Sequence, residues 1–323
     1  MPERRLVIVE NPASSRHAAV TPALAYLQES VVSSLRLQTS PEPLRTRDAI
    51  AGAVCDGDVI VLAAGDGGQA DSFNGIIQAS RDDLAVVSLP AGGENDTSFA
   101  LHGARSIEEL AVIAAMACRH SQNIPVRDAR PFHIEADGID LGYGMVSGAL
   151  GAVALAGEWL EHSGAKDELN VSGRTMRAKL ALATRYYFEH GRRHRMPPVR
   201  HDDGRERRLG GTILIMNDGR MAGTWRNILA QRAIYGEYFS IGHYQGMWQF
   251  PRSVWFGVQS LSGIMHGRLR RHEKIDFEDA SVPLLVDGER RGDVRRVVVT
   301  KGPTAPRVPI IDVNKLVDQE LAA

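Results

Sequence analysis

Asp58-Val-Ile-Val-Leu-Ala-Ala-Gly-Asp-Gly-Gly68 decides how this chain is read. Its apolar, β-branched run has the character of a buried strand, and it stops abruptly at Ala64-Gly65-Asp66-Gly67-Gly68. A strand that runs into glycines and then into a helix start is the physical recipe for an anion site. Glycine lets the backbone approach a phosphate, and a helix N-terminus offers free N–H groups and the positive end of a dipole. Asp66 does not suit a bare anion site, because a carboxylate repels phosphate. It suits one in which a divalent cation lies between the two. A glycine-rich turn after a strand can also be only a turn, with Asp66 capping a helix.

A second stretch repeats the pattern. Leu84-Ala-Val-Val-Ser-Leu-Pro90 reads as another strand, closed by Ala91-Gly92-Gly93-Glu94-Asn95-Asp96. Two successive strand-to-glycine turns, each with an aspartate, suggest two loops at one edge of a parallel sheet. In such sheets ligands bind outside the carboxyl ends of the strands. Asn95-Asp96 could equally be a helix N-cap and nothing more.

Further out, Arg5 to Glu10 reads as a first strand, ending at Asn11-Pro12 because proline cannot continue a central strand. Thr21-Pro22 looks like an N-cap followed by proline at the first helical position. Ser34 to Thr39 reads as a strand, Thr46 to Cys55 and Gln69 to Gln78 as helices, and a short helix is expected after Asp96. Ser106-Ile-Glu-Glu109 is a capping-box pattern. This β-α-β-α alternation argues for a parallel sheet with helices on both faces, a Rossmann-like α/β domain over residues 1–123.

The pattern changes near residue 124. Short β-like runs follow at 124–126, 132–135, 139–141, 211–216, 237–241, 281–286 and 295–300, with Asp137-Gly138 as a turn. They suggest a β-rich, sandwich-like second domain over 124–305. Residues 172–190 and 251–269 read as helical insertions. Ile310 to Leu321 reads as a terminal helix, so 306–323 is expected to pack back on the first domain.

Composition narrows the function classes. The chain has 323 residues, 43% hydrophobic and 24% charged, with a net charge of -1. That balance argues against a dedicated nucleic-acid binder. Cys55 and Cys118 form no C-x-x-C pair, so neither a disulfide framework nor a thiolate zinc site is expected, and a cytoplasmic setting suits them. The uncharged stretch Leu141 to Gly157 is crowded with glycine and alanine and reads as buried, since a spanning helix needs ~20 mostly apolar residues. His190 and His194 have i, i+4 spacing without an H-E-x-x-H pattern, so no metal site is read there. Arg192-Arg193-His194-Arg195 and Arg268 to His272 are basic clusters, read as solvated faces or as contacts for anionic headgroups.

The two glycine turns resemble the G-G-D-G-T and P-x-G-T-x-N-D loops of the diacylglycerol kinase catalytic domain. That superfamily also holds sphingosine kinases, bacterial lipid kinases and, more distantly, NAD kinases. Two further segments fit the same order: Asn11-Pro12-Ala13-Ser14-Ser15 resembles N-P-x-S-G, and Asp287-Gly288-Glu289 resembles D-G-E. The resemblance implies an α/β nucleotide domain, a β-rich second domain and an active site in the cleft between them. It implies an ATP- and Mg²⁺-dependent kinase acting on a lipid or amphiphilic alcohol, taken from a membrane surface in transient, peripheral contact. Asn11, Gly65, Gly67, Gly68, Gly92, Gly93 and Asn95 would hold the nucleotide. Asp66 and Asp96 would organise Mg²⁺, directly or through water, and Glu289 would be the general base. Asp287 would orient that segment or simply make the turn, and homodimer formation is left open.

This chain departs from the motifs. Gly68 and Gly93 stand where threonine or serine is usual, Ala64 where glycine is, Tyr235-Gly236 where Asp-Gly is common and Gln231 where proline is. The acids survive while the hydroxyls do not, which marks a divergent member. Two other readings stand beside the lipid kinase. One is a nucleotide- or lipid-binding protein that kept the fold and lost turnover. The other is an NAD kinase, against which Asn95-Asp96 speaks, because that family usually has N-E.

Overall fold

In the computed structural model, the described residues are 3–40, 42–120, 124–172, 176–189, 197, 199–201, 206–207, 211–218, 220–221, 225–226, 233–245, 268–277 and 280–322. The chain divides into two units, one of residues 1–130 with 306–323 and one of residues 131–305.

In the first unit, β1 (Leu6–Glu10), β2 (Ser34–Gln38), β3 (Val59–Ala63), β4 (Ala85–Ser88) and β5 (Val126–Ala129) share a sheet with a C-terminal strand, Val308–Ile311. The order is β2-β1-β3-β4, then the C-terminal strand, then β5. All neighbours are parallel except β5, which runs antiparallel to the C-terminal strand. β1 and β3 are buried along their whole length, which explains their unbroken apolar sequence. Alternate residues feed opposite faces. Leu6, Ile8, Val59, Val61 and Val87 join a core with helices α1 (His17–Glu29) and α5 (Ile107–Arg119) and the C-terminal helix Val313–Ala322. Helices α2 (Pro43–Ala53) and α3 (Asp66–Ala79) pack together, and α4 (Asp96–His102) follows β4.

Several local expectations shift. Helix α1 begins at His17, not after Thr21, and Pro22 lies inside it. The Thr21 hydroxyl bonds back to the His17 carbonyl instead of capping. Helix α3 begins at Asp66, so Gly67 and Gly68 form its first turn rather than a loop before it. The C-terminal segment opens as a strand before its helix. Ser106 makes the expected capping box with Glu109. Cys118 is a buried core residue, and burial pushes its thiol up to about 12.

The second unit is a β-sandwich with a helical insertion. Its strands are β6 (Phe132–Ala136), β7 (Ile139–Gly144), β8 (Ser147–Gly151), β9 (Val199–His201), β10 (Glu206–Arg207), β11 (Gly211–Met216), β12 (Arg220–Met221), β13 (Trp225–Arg226), β14 (Phe239–Gln245), β15 (Arg268–Arg270), β16 (His272–Phe277), β17 (Val282–Val286), β18 (Glu289–Val294) and β19 (Arg296–Thr300). Two antiparallel sheets, β10-β9-β16-β19-β6-β7 and β15-β14-β11-β8-β17-β18, share one core. Phe132 of one sheet meets Phe239 of the other, ring centroids 6.4 Å apart. Gly144 lies against that core: a Cβ there would fall 2.5 Å from Phe132 Cζ and 2.9 Å from Val286 Cγ1. Helices α6 (Ala152–His162), α7 (Ala165–Val171) and α8 (Met176–Glu189) follow β8.

The expected helix over 251–269 falls outside the described residues except for Arg268 and Leu269, which belong to β15. The basic run 192–195, the two histidines at 190 and 194, and Gln231 also fall outside them. Among the described residues, no helix is long and apolar enough to cross a membrane.

Candidate active site

The order β2-β1-β3 means that the chain leaves β1 in one direction and returns on its other side. That creates a crevice at the carboxyl ends of β1 and β3. Three loops meet there. The Asn11 N–H donates to the Ala63 carbonyl (3.1 Å), the Gly65 N–H to Ser14 Oγ (3.1 Å), and the Arg16 N–H to the Ala91 carbonyl (3.1 Å). The backbones of the two glycine turns touch. A Cβ on Gly92 would sit 2.7 Å from Gly65 Cα, so only glycine permits this approach.

Asp66 and Asp96 occupy equivalent places, each the first residue of a helix. They are joined through Thr97, whose N–H donates to Asp66 Oδ1 (2.9 Å). Asp66 therefore caps α4, a helix other than its own. Burial raises the Asp66 pKa and the nearby Glu94 adds to the rise, while the backbone N–H groups of Thr97 and Asp96 oppose it. Asn95 adopts a left-handed backbone (φ 56°), and its Oδ1 accepts the Gly92 N–H (2.7 Å). The N–H groups of Gly65 and Gly92 are thus engaged inside the chain. Those of Gly67 and Gly68 belong to the first turn of α3, where a helix leaves its donors without internal partners.

The space around Gly68 is informative. A Cβ there would lie 3.0 Å from the Ala64 methyl and 3.9 Å from Asn11 Nδ2. The alanine that replaces a glycine thus occupies the room a side chain at 68 would need. The two departures from the motif are one packing exchange.

Sequence reasoning missed several groups beneath and beside these turns. Gln69 is fully buried in α3 and donates to the carbonyls of Ala64 and Leu89. Ser88, Ser98 and His102 continue that buried polar set. The only available signal was polar residues at helix and strand positions that face inward. Arg16 is exposed, and among the described residues its guanidinium has no partner. Nothing in its spacing singled it out.

Among the described residues, no three His, Cys, Asp or Glu side chains are placed to hold an ion. Mg²⁺ does not require three: it keeps waters and takes one or two carboxylates beside phosphate oxygens. Two aspartates at adjacent helix starts, with a third acid raising the pKa of one, suit that mode.

In the second unit, Glu289 is exposed at the start of β18. Asp287 and Gly288 form the preceding turn with φ of 48° and 84°. The Asp287 carboxylate is buried and accepts three backbone N–H groups, from Met145 (2.6 Å), Val146 (2.8 Å) and Ser147 (2.7 Å). Its own N–H donates to the Ser147 carbonyl (2.8 Å). Asp287 therefore makes the turn and also fastens it to the β7–β8 corner.

Residues 5–127 match the family model for the diacylglycerol kinase catalytic domain. Among solved structures, the chain is similar to a diacylglycerol kinase from Bacillus anthracis strain Sterne, with 16% identity, a TM-score of 0.60 and 96% of each chain covered. It is also similar to a provisionally named diacylglycerol kinase from the same organism, with 18% identity and a TM-score of 0.61, covering 96% of this chain and 98% of that one. At these identities the structural likeness speaks for the fold alone. No curated protein sequence matches the chain.

Proposed function

We propose, from the premise that residues 5–127 form a diacylglycerol kinase catalytic domain, that this chain transfers the γ-phosphoryl group of ATP to the hydroxyl of a lipid or amphiphilic alcohol. The observation that carries the proposal is the joined pair of acidic helix starts: Asp66 on α3, bonded to Thr97 just inside the α4 that begins with Asp96. In phosphoryl transfer the protein mainly positions charge and reactants. The N–H groups of Gly67 and Gly68 and the N-terminal dipole of α3 would receive phosphate oxygens. Arg16, tied to the Ala91 carbonyl, would supply a positive charge beside them. Asp66 and Asp96 would hold hydrated Mg²⁺, which when bound neutralises charge on the transferring phosphate. The acceptor oxygen forms a bond to the γ-phosphorus as the bond to ADP breaks, and Glu289 is the candidate base for the hydroxyl proton. Asp287 supports this assignment by fixing the turn that presents Glu289.

The test incubates the protein with γ-labelled ATP, Mg²⁺ and a lipid extract beside an Asp66→Asn control. Label in organic-soluble product, lost in the control, is the expected result. ATP binding without transfer would favour a binding protein that lost turnover, a reading to which the missing hydroxyls at Gly68 and Gly93 lend weight. Label in NADP would overturn the lipid acceptor.

A further inference from the structure

We propose that Gln69 is the positioning residue that sets the spacing of the two acidic turns, with Ser88 as its anchor. The ladder between β3 and β4 runs out at Leu62 and Ser88, and its last tie is the Leu89 N–H to the Leu62 carbonyl (2.8 Å). Beyond that point the β3–β4 ladder ends, and the carbonyls of Ala64 and Leu89 lie on its two sides. Gln69 bridges them. Its Nε2 donates to Ala64 O (2.9 Å) and to Leu89 O (3.2 Å), so one side chain continues the tie that the backbone abandons.

The bridge is itself held in place. The Ser88 hydroxyl donates to Gln69 Oε1, which fixes the amide with its NH₂ toward the two carbonyls. Ser88 is in turn bonded to α4 at both of its main-chain groups. The Ser98 hydroxyl donates to its carbonyl (2.7 Å), and its N–H donates to His102 Nε2 (3.0 Å). One buried set therefore joins the start of α3, the ends of β3 and β4, and the body of α4. Gln69 and Ser88 are both 0% exposed, so water cannot stand in for either partner. The contact of Gly65 with Gly92 and the bond from Thr97 to Asp66 both depend on this spacing.

The catalytic consequence rests on the kinase reading; the structural one does not, and the experiment separates them. Gln69→Leu keeps the volume and removes the side-chain hydrogen bonds to Ala64, Leu89 and Ser88. Ser88→Ala leaves the bridge but frees its anchor, and serves if the first variant folds poorly. Ile76→Ala is the control: it opens a buried site in α3 without touching either turn. Native-state hydrogen exchange of the Thr97 and Gly92 amides is measured in each, well below the unfolding temperature. In Gln69→Leu both amides are expected to exchange about tenfold faster relative to β1 amides, the scale of one lost buried hydrogen bond. Ser88→Ala is expected to give a smaller change in the same amides, and Ile76→Ala none. Affinity for Mg·ATP is expected to fall about tenfold in Gln69→Leu and to hold in Ile76→Ala. Unchanged Thr97 and Gly92 exchange in both Gln69→Leu and Ser88→Ala overturns the proposal. If the wild type binds no nucleotide, the kinase reading fails, and the amide exchange still decides the role of Gln69.

Discussion

Acidification should destabilise the first unit through His102, the last residue of α4. Its Nε2 accepts the Ser88 N–H, so that nitrogen carries no proton and the neutral ring holds its hydrogen on Nδ1. Among the described residues Nδ1 has no partner. Burial first, and then the positive charges of Arg127 and Arg105, push the imidazolium down from 6.5 to about 3. The unfolded chain takes up a proton below its ordinary value, and the folded chain does not until far lower pH. Stability is therefore full above 6.5 and falls as the pH drops from there toward 3. Between about pH 7.5 and pH 5 the loss is about 2 kcal/mol, from ~1.4 kcal/mol for each of roughly 1.5 pH units below the ordinary value. The window stays above the range where Glu10, held low by Arg36, would begin to contribute; Asp66, whose carboxyl burial raises, would act in the opposite sense and is common to wild type and variant. Trp159, Trp225, Trp248 and Trp255 all lie between residues 131 and 305, so this unit has no tryptophan of its own to report its unfolding. The assay is urea titration with exchange of the Ser88 amide as probe, at both pH values, for wild type and His102→Gln. Wild type should lose the increment and the variant should not. Equal pH dependence in the two, or an NMR titration of His102 centred near 6.5, would refute the reasoning.

Other perturbations probe the remaining packing. Gly68→Thr alone should cost about 1–3 kcal/mol by crowding the Ala64 methyl. The Ala64→Gly/Gly68→Thr pair should recover most of it, read as a coupling energy in a double-mutant cycle. Gly144→Ala should destabilise the sandwich by about 1–3 kcal/mol against Phe132 and Val286, visible in tryptophan emission on unfolding. Asp287→Ala strands three amides and should cost the same unit about 3 kcal/mol or more, leaving exchange at Ser88 unchanged.

What could be read in the sequence was punctuation. Glycines after apolar runs mark strand ends whatever surrounds them, so the turns at 65–68 and 92–95 were visible. Helix edges were harder. Thr21-Pro22 imitates a helix start, but nothing local reveals that the chain already turns helical at His17. Gln69, Ser88 and His102 were opaque for a different reason. A polar residue carries no mark of burial, and its partners sit across the sheet, as with Gln69 and Ser88, 19 residues apart. Asp287 was ambiguous because what settles it lies 140 residues away at Ser147. Ala64 and Gly68 read as two separate departures from the motif until the distance between them joined them.

The C-terminal strand lies inside the first sheet, between β4 and β5, although the whole sandwich precedes it in the sequence. A ribosome therefore releases β4 with a bare flank and must translate residues 131–305 before the strand that covers it emerges. Through that interval the exposed edge is open to pairing with other nascent chains. Expression cut short before residue 308 should yield inclusion bodies rather than a smaller folded protein.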